Sequence, residues 1–341
     1  MLMSAAELSI IICTYNSERT IRRTLEAVFA STVDQYEVIV VDDCSTDKTV
    51  AICCQFPVNL IQMDRNSGPA VCRNIGAKRS RGDIIVFVDS DVVFAADVIE
   101  RMFTYLQKEP ELAGVGTISA PMPLNPCFFS NYFALQESLL VARLMGGQDR
   151  AKLPYVCTRC GCLRRKIFEE LGGFDEKYRK PSIEDYELSS RMTDKYYVLY
   201  EKDLQNEHYF PEKLSQIFKR YHQNTAMMAN LIGPSKSGYL RPFEKDVWAR
   251  ALIGASVLAS AGAIFDPLSI GFALVMLVGA AGIQAQLLQA LYTNWGLKTM
   301  FKGWLLYMSC IIPITTGTIS GFTVSIWRRF HLKLTQRMPA R

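Results

Sequence analysis

The chain has 341 residues, 49% of them hydrophobic, with a formal net charge of +5 and ten cysteines. That length leaves room for two domains and a sizeable core. The excess charge is small and sits in the tail, where Arg328, Arg329, Lys333, Arg337 and Arg341 follow Trp327 with no acid among them, so nucleic acid is excluded as a partner and anionic lipid is expected. No charged lead, apolar core and small-residue cleavage site open the sequence, so no secretion signal is expected. Cys157, Cys160 and Cys162 lack a second cysteine pair downstream to complete a four-ligand zinc site. All ten cysteines are therefore expected as free thiols in a reducing cytosol.

Residues 8–13 form an apolar, β-branched run followed by Thr14-Tyr15-Asn16-Ser17, which reads as a strand and a polar turn. Ser17 and Thr20 can open a helix with Ile21, Leu25, Val28 and Phe29 on one face. A second strand at 37–41 runs into Asp42 and Asp43, and a third is expected at 58–63. Asn66-Ser67-Gly68-Pro69 starts a helix with proline near its first position, where the missing N–H costs nothing. The next run, 84–88, is too short for a typical helix and reads as a strand buried on both faces. It ends directly in Asp89-Ser90-Asp91.

Strand, helix, strand, helix, strand implies right-handed crossovers and a parallel sheet. The polar clusters at Thr14-Tyr15-Asn16, Asp42-Asp43 and Asp89-Ser90-Asp91 then lie on one edge, where open α/β sheets bind ligands. Asp89 and Asp91 suit a hard divalent cation that leaves most of its shell to phosphate and water. No glycine-rich phosphate loop follows the first strand. Asp43 can accept from a nucleobase N–H and Tyr15 can lie against the base; equally, Asp42 and Asp43 can cap the next helix.

The runs Ile10-Ile11-Ile12-Cys13-Thr14-Tyr15-Asn16, Val38-Ile39-Val40-Val41-Asp42-Asp43-Cys44-Ser45-Thr46-Asp47, Asn74-Ile75-Gly76-Ala77 and 82–91 together resemble glycosyltransferase family 2. Cys13 stands where that family usually has proline, and Cys44 where glycine is common. The resemblance covers roughly 7–210. It implies a GT-A fold, a Rossmann-like, mixed, mainly parallel sheet flanked by helices. It also implies inverting transfer of a sugar from a nucleotide diphosphate donor, a UDP-sugar before a GDP-sugar, with Mn²⁺ or Mg²⁺. It places Asp43 at the nucleobase, Arg73 near the diphosphate and Asp91 on the metal with Asp89 close by. Thr14, Tyr15, Asn16 and Ser90 complete the donor side.

Gly172-Gly173-Phe174-Asp175-Glu176, then Glu184-Asp185-Tyr186-Glu187-Leu188 and Arg191, resemble the family's acceptor pattern. Asp185 is thereby assigned as catalytic base, with Glu184 the next choice; Ser182 and Asp185 also suit a plain helix start. The helix dipole there is expected to depress the pKa of Asp185. His208 is either a further metal ligand, as in branches of the family, or structural. Gln216-Ile217-Phe218-Lys219-Arg220-Tyr221 departs in spacing and in its tyrosine from the motif of processive synthases.

The expected domains are a catalytic one at 1–232 with an amphipathic helix near 211–232, a polar linker at 233–247, two to three membrane segments within 248–327, and a basic tail at 328–341. A bilayer span takes ~20 residues, and apolar segments at 248–265, 268–291 and 303–327 approach that length, with Trp248, Trp295, Trp304 and Trp327 at their edges. Pro313 and Gly317 can break the last segment into a re-entrant turn that keeps the tail cytosolic; three full spans would put it outside. The expectation is an integral membrane protein with a cytoplasmic catalytic domain and a lipid-linked acceptor. The rivals are a transporter or scaffold with an inactive nucleotide-binding domain, and a nucleotidyltransferase.

Overall fold

The computed structural model describes residues 8–179, 183–192, 195–231 and 268–321, with short pieces at 252–253, 255–256 and 323. Ser182, the linker, the apolar segment at 248–265 apart from those short pieces, Trp327 and the basic tail lie outside the described residues. The chain divides into two compact units, one of Met1–Pro126 with Leu140–Phe210 and one of Cys127–Leu139 with Pro211–Arg341.

The first unit opens with β1 (Leu8–Thr14), α1 (Ile21–Phe29), β2 (Tyr36–Asp42), α2 (Thr49–Cys53), β3 (Asn59–Gln62), α3 (Pro69–Arg79) and β4 (Ile84–Asp89). These strands pair in parallel in the order β3, β2, β1, β4. The chain continues through β5 (Val92–Phe94), α4 (Val98–Lys108), β6 (Gly114–Ser119), α5 (Phe128–Leu144), β7 (Arg150–Leu153), β8 (Cys160–Arg164), α6 (Arg165–Glu170), α7 (Glu184–Met192) and β9 (Val198–His208). β8 is antiparallel to β4 and to β6, β6 is parallel to β9, and β5 and β7 add to β9 antiparallel. The result is one mixed sheet with a parallel half and helices on both faces.

Side-chain alternation fills both faces, because successive strand residues point to opposite sides. Ile10, Ile12, Val38, Val40, Val86 and Val88 pack with Ile21, Leu25 and Val28 of α1 and with Met102 of α4. Ile11, Ile85 and Phe87 pack on the other side with Ala70 and Ala77 of α3, Phe168, Phe174, and Leu188 of α7. Two buried faces explain the unbroken apolar runs of β1 and β4. Cys160 and Cys162 of β8 belong to the first face and Cys157 to the second, and all ten cysteines are free thiols. Burial pushes the thiols of Cys157, Cys160 and Cys162 up, the last to about 12, which leaves them inert.

The second unit holds the start of α5 with α8 (Leu214–Leu231), α9 (Leu268–Ile283) and α10 (Ala285–Ser309). Its core gathers Tyr132, Ile217, Ala280, Leu287, Leu291 and Tyr307. The expected segment 268–291 is interrupted at Gln284, and α10 breaks at Gly296, whose φ of 81° glycine tolerates. Residues 311–321 are helical through Pro313 and Gly317, so no turn forms there. By length and composition Ala285–Gly321 is able to cross a membrane, while Ala273–Ile283 is a shorter apolar helix.

Candidate active site

The carboxyl ends of β1, β2 and β4 meet at one edge through their own hydrogen bonds. Asn16, with φ of 48°, accepts from the Thr46 N–H at 2.8 Å, and its own N–H donates to Ser45 Oγ at 2.9 Å. The hydroxyls of Ser17 and Ser90 meet at 2.9 Å. Tyr15 is exposed, whereas the Thr14 hydroxyl is buried without a partner.

Asp43 is buried, and its two oxygens accept from the Ser67 and Gly68 N–H groups at 2.7 and 2.8 Å. Those bonds fix the entry to α3. Gly68 has φ of 94°, and a Cβ there would collide with the Arg179 backbone. Asp43 thus anchors the loop on the rim of the crevice, and neither oxygen is wholly free for a base.

Arg73 of α3 is buried and reaches two carboxylates: it donates to Asp89 Oδ1 at 2.7 Å and to Glu184 Oε1 at 2.9 Å, with its guanidinium 5.6 Å from the Phe174 ring. Burial opposes its charge, but the fields of Asp89 and Glu184 outweigh that and raise its pKa. Arg73, the guanidinium expected near a diphosphate, thus forms a strut between the end of β4 and the start of α7 in this structure.

On α7, Asp185 is half-buried; the Tyr155 hydroxyl donates to its Oδ2 at 3.1 Å and the Tyr186 N–H to its Oδ1 at 2.8 Å. Burial first, then the neighbouring Glu184 charge, push its carboxyl up from 3.8 to about 7, against the partial relief given by Arg73. This reverses the expected depression. The helix N-terminus is outweighed by desolvation and by a second carboxylate one residue away. A carboxylate poised near neutrality is matched to general-base work.

Asp91 and His208 lie together at the other end. His208 Nε2 is 3.3 Å from Asp91 Oδ2, and the buried Nδ1 has no hydrogen-bond partner. The Tyr209 N–H donates to the Asp91 carbonyl at 3.4 Å, and Arg23 donates to the Tyr209 hydroxyl at 2.8 Å. Among the described residues no group of three His, Cys, Asp or Glu is gathered for a metal. Asp91 and His208 fit two positions of a cation's shell, one oxygen and one nitrogen, and Asp89 is turned to Arg73. Tyr155, and Arg159, whose carbonyl accepts from the Asp89 N–H at 2.9 Å, also belong to this edge. Sequence reading passed over both. Tyr155 carries no local signal, and Arg159 sits inside a run that drew attention as thiols.

The profile of glycosyl transferase family 2 matches residues 9–172, which makes that stretch a glycosyltransferase family 2 domain. An uncharacterized glycosyltransferase of Haemophilus influenzae is 29% identical over 197 residues, 54% of this chain and 61% of that protein. Succinoglycan biosynthesis protein ExoO of Rhizobium meliloti is 40% identical over 99 residues, 28% of each chain. The chain thus spans less than two thirds of these relatives' own length. Among solved structures, the mannosyltransferase PcManGT from Pyrobaculum calidifontis, in complex with GDP-Man and Mn²⁺, shares the fold at a TM-score of 0.59. It is 18% identical, over 93% of this chain and 88% of that one.

Proposed function

We propose that the glycosyltransferase family 2 domain transfers a sugar from a nucleotide diphosphate sugar to an acceptor, with inversion at the anomeric carbon. The acceptor oxygen attacks that carbon, its proton passes to Asp185, and the bond from the carbon to the diphosphate oxygen breaks. The observation that carries this reading is the strut Asp89–Arg73–Glu184, which ties a strand end facing the donor side to the helix that presents Asp185. The Tyr155 hydroxyl steadies the carboxylate that must turn toward the acceptor.

Asp91 and His208 would hold a divalent cation with Asp89 beside them, and a mixed oxygen and imidazole donor set suits Mn²⁺. Bound there, such an ion neutralises the diphosphate and eases its departure. The acceptor in this reading is lipid-linked and the catalytic unit cytoplasmic. Support comes from apolar surface in the second unit: Val278 is 72% and Leu297 66% exposed, on helices of nearly uncharged composition.

The test uses purified full-length protein with Mn²⁺, a panel of UDP- and GDP-sugars, and a lipid extract. One donor is expected to yield a glycosylated lipid by mass analysis, with anomeric configuration opposite to that of the donor. Neither transfer nor hydrolysis of any donor would overturn the proposal.

A further inference from the structure

This edge is rich in carboxylates: Asp43 and Glu184 are buried there, and Asp89, Asp91 and Asp185 are half-buried. A phosphate needs positive charge close by, and the guanidinium of Arg73 is committed to Asp89 and Glu184. Arg159 supplies a second one at a defined place. β8 runs antiparallel to β4 with Cys160 opposite Val88, and the Asp89 N–H donates to the Arg159 carbonyl one step further on. Arg159 therefore stands directly opposite Asp89. Residues opposite one another in an antiparallel pair project to the same face. Val88 and Cys160 share the face of α1 and α4, so Asp89 and Arg159 share the other, where Arg73 lies.

The guanidinium of Arg159 is half-buried and donates to the hydroxyl of Ser119, at the end of β6. Ser119 pairs with Asn206 of β9, two residues before His208. The segment leading into β8 also carries Tyr155, which holds Asp185. One short stretch thus spans from the base to the strand end bearing Asp89, with Arg159 at the second of these.

We propose that Arg159 binds a phosphate oxyanion in this crevice, either of the nucleotide diphosphate or of a phosphate-bearing acceptor. The proposal rests on the glycosyl-transfer reading and adds a residue to it. A guanidinium offers paired, charge-assisted donors to phosphate oxygens that a lysine does not reproduce.

The experiment compares full-length wild type with Arg159→Gln, Arg159→Lys and Ser119→Ala, each checked by thermal melting. Calorimetry with Mn²⁺ measures UDP and GDP against uridine and guanosine. Flotation measures phosphatidylcholine vesicles containing 5 mol% polyprenyl phosphate against vesicles containing the unphosphorylated polyprenol. Arg159→Gln is expected to weaken one phosphate-bearing probe by about tenfold or more and to leave its phosphate-free counterpart unchanged. Arg159→Lys and Ser119→Ala should fall between, and they carry the test if the glutamine variant does not fold. A loss in the nucleotide arm assigns the donor diphosphate, and a loss in the vesicle arm assigns the acceptor phosphate. Unchanged binding of both phosphates by the variants, while wild type binds, overturns the role of Arg159 alone. Wild type that binds neither nucleotide nor lipid phosphate overturns the transfer reading with it.

Discussion

Replacing Glu184 by glutamine isolates the electrostatic setting of Asp185, the proposed base. Gln keeps an oxygen to accept from Arg73 at the position now 2.9 Å away, so the strut survives while one negative charge is removed beside Asp185. Burial is the larger cause of the rise of Asp185 to about 7, and the Glu184 charge is the second. Two like charges ~6 Å apart at an effective dielectric near 20 repel by roughly 3 kcal/mol, or about two pH units. Because burial persists in the variant, a shift of between about one and two units is expected. Asp185 must be ionised to accept a proton, so kcat/KM should rise with pH and level off above about 7 in wild type. In Glu184→Gln the same limb should lie lower, with turnover at pH 9 within a few-fold of wild type. The assay is initial rate from pH 5 to 9 in the full-length protein with a saturating cation. A limb that stays put, or moves up, would refute the assignment of Asp185 as base or of Glu184 as its neighbour in charge.

Asp185→Asn should lower kcat by ~10²- to 10⁴-fold while the Kd for the nucleoside diphosphate, by calorimetry, stays within a few-fold of wild type. The same change should raise Tm at pH 8 but not at pH 4. The folded state holds a proton on Asp185 above its ordinary 3.8, so stability falls as pH climbs from about 4 to about 7, and asparagine removes that loss. Asp91→Asn and His208→Ala should each raise the Mn²⁺ concentration for half-maximal rate by about tenfold or more, and excess chelator should abolish turnover until Mn²⁺ is restored. Gly68→Ala forces an unfavourable backbone at the Asp43 loop and should cost ~1–3 kcal/mol in denaturant melts, with weaker nucleotide binding.

What the sequence made legible was local. Five apolar residues before Asp89 marked β4, and Gly68-Pro69 marked the start of α3, because strand and helix signals are short-range. The site's longer connections were not legible. Arg73 and Glu184 are 111 positions apart and Tyr155 and Asp185 are 30 apart, and no periodicity links such pairs. The antiparallel β8 beside β4 was hidden for the same reason: its Cys-Gly-Cys alternation reads as thiol chemistry until the two faces of the sheet separate Cys157 from Cys160. Asp43 was legible as an acid at a strand end. Its two bonds to the Ser67 and Gly68 N–H groups depend on a loop whose course only the fold supplies.

The strut also explains why the crevice tolerates so many acids. Glu184 and Asp89 are compensated by one buried guanidinium, which repays their desolvation only while both bonds hold. Losing either partner would leave Arg73 buried against a single carboxylate and release the end of α7 from β4. Asp185 has no ion pair of its own: Arg73 and the hydrogen bonds from Tyr155 and Tyr186 offset only part of its burial, and its charge is held at the edge of ionisation instead. The arrangement separates two tasks that adjacent carboxylates would otherwise share. Glu184 is tied down as a counter-ion, and Asp185 is left with a proton affinity suited to moving a proton near neutral pH.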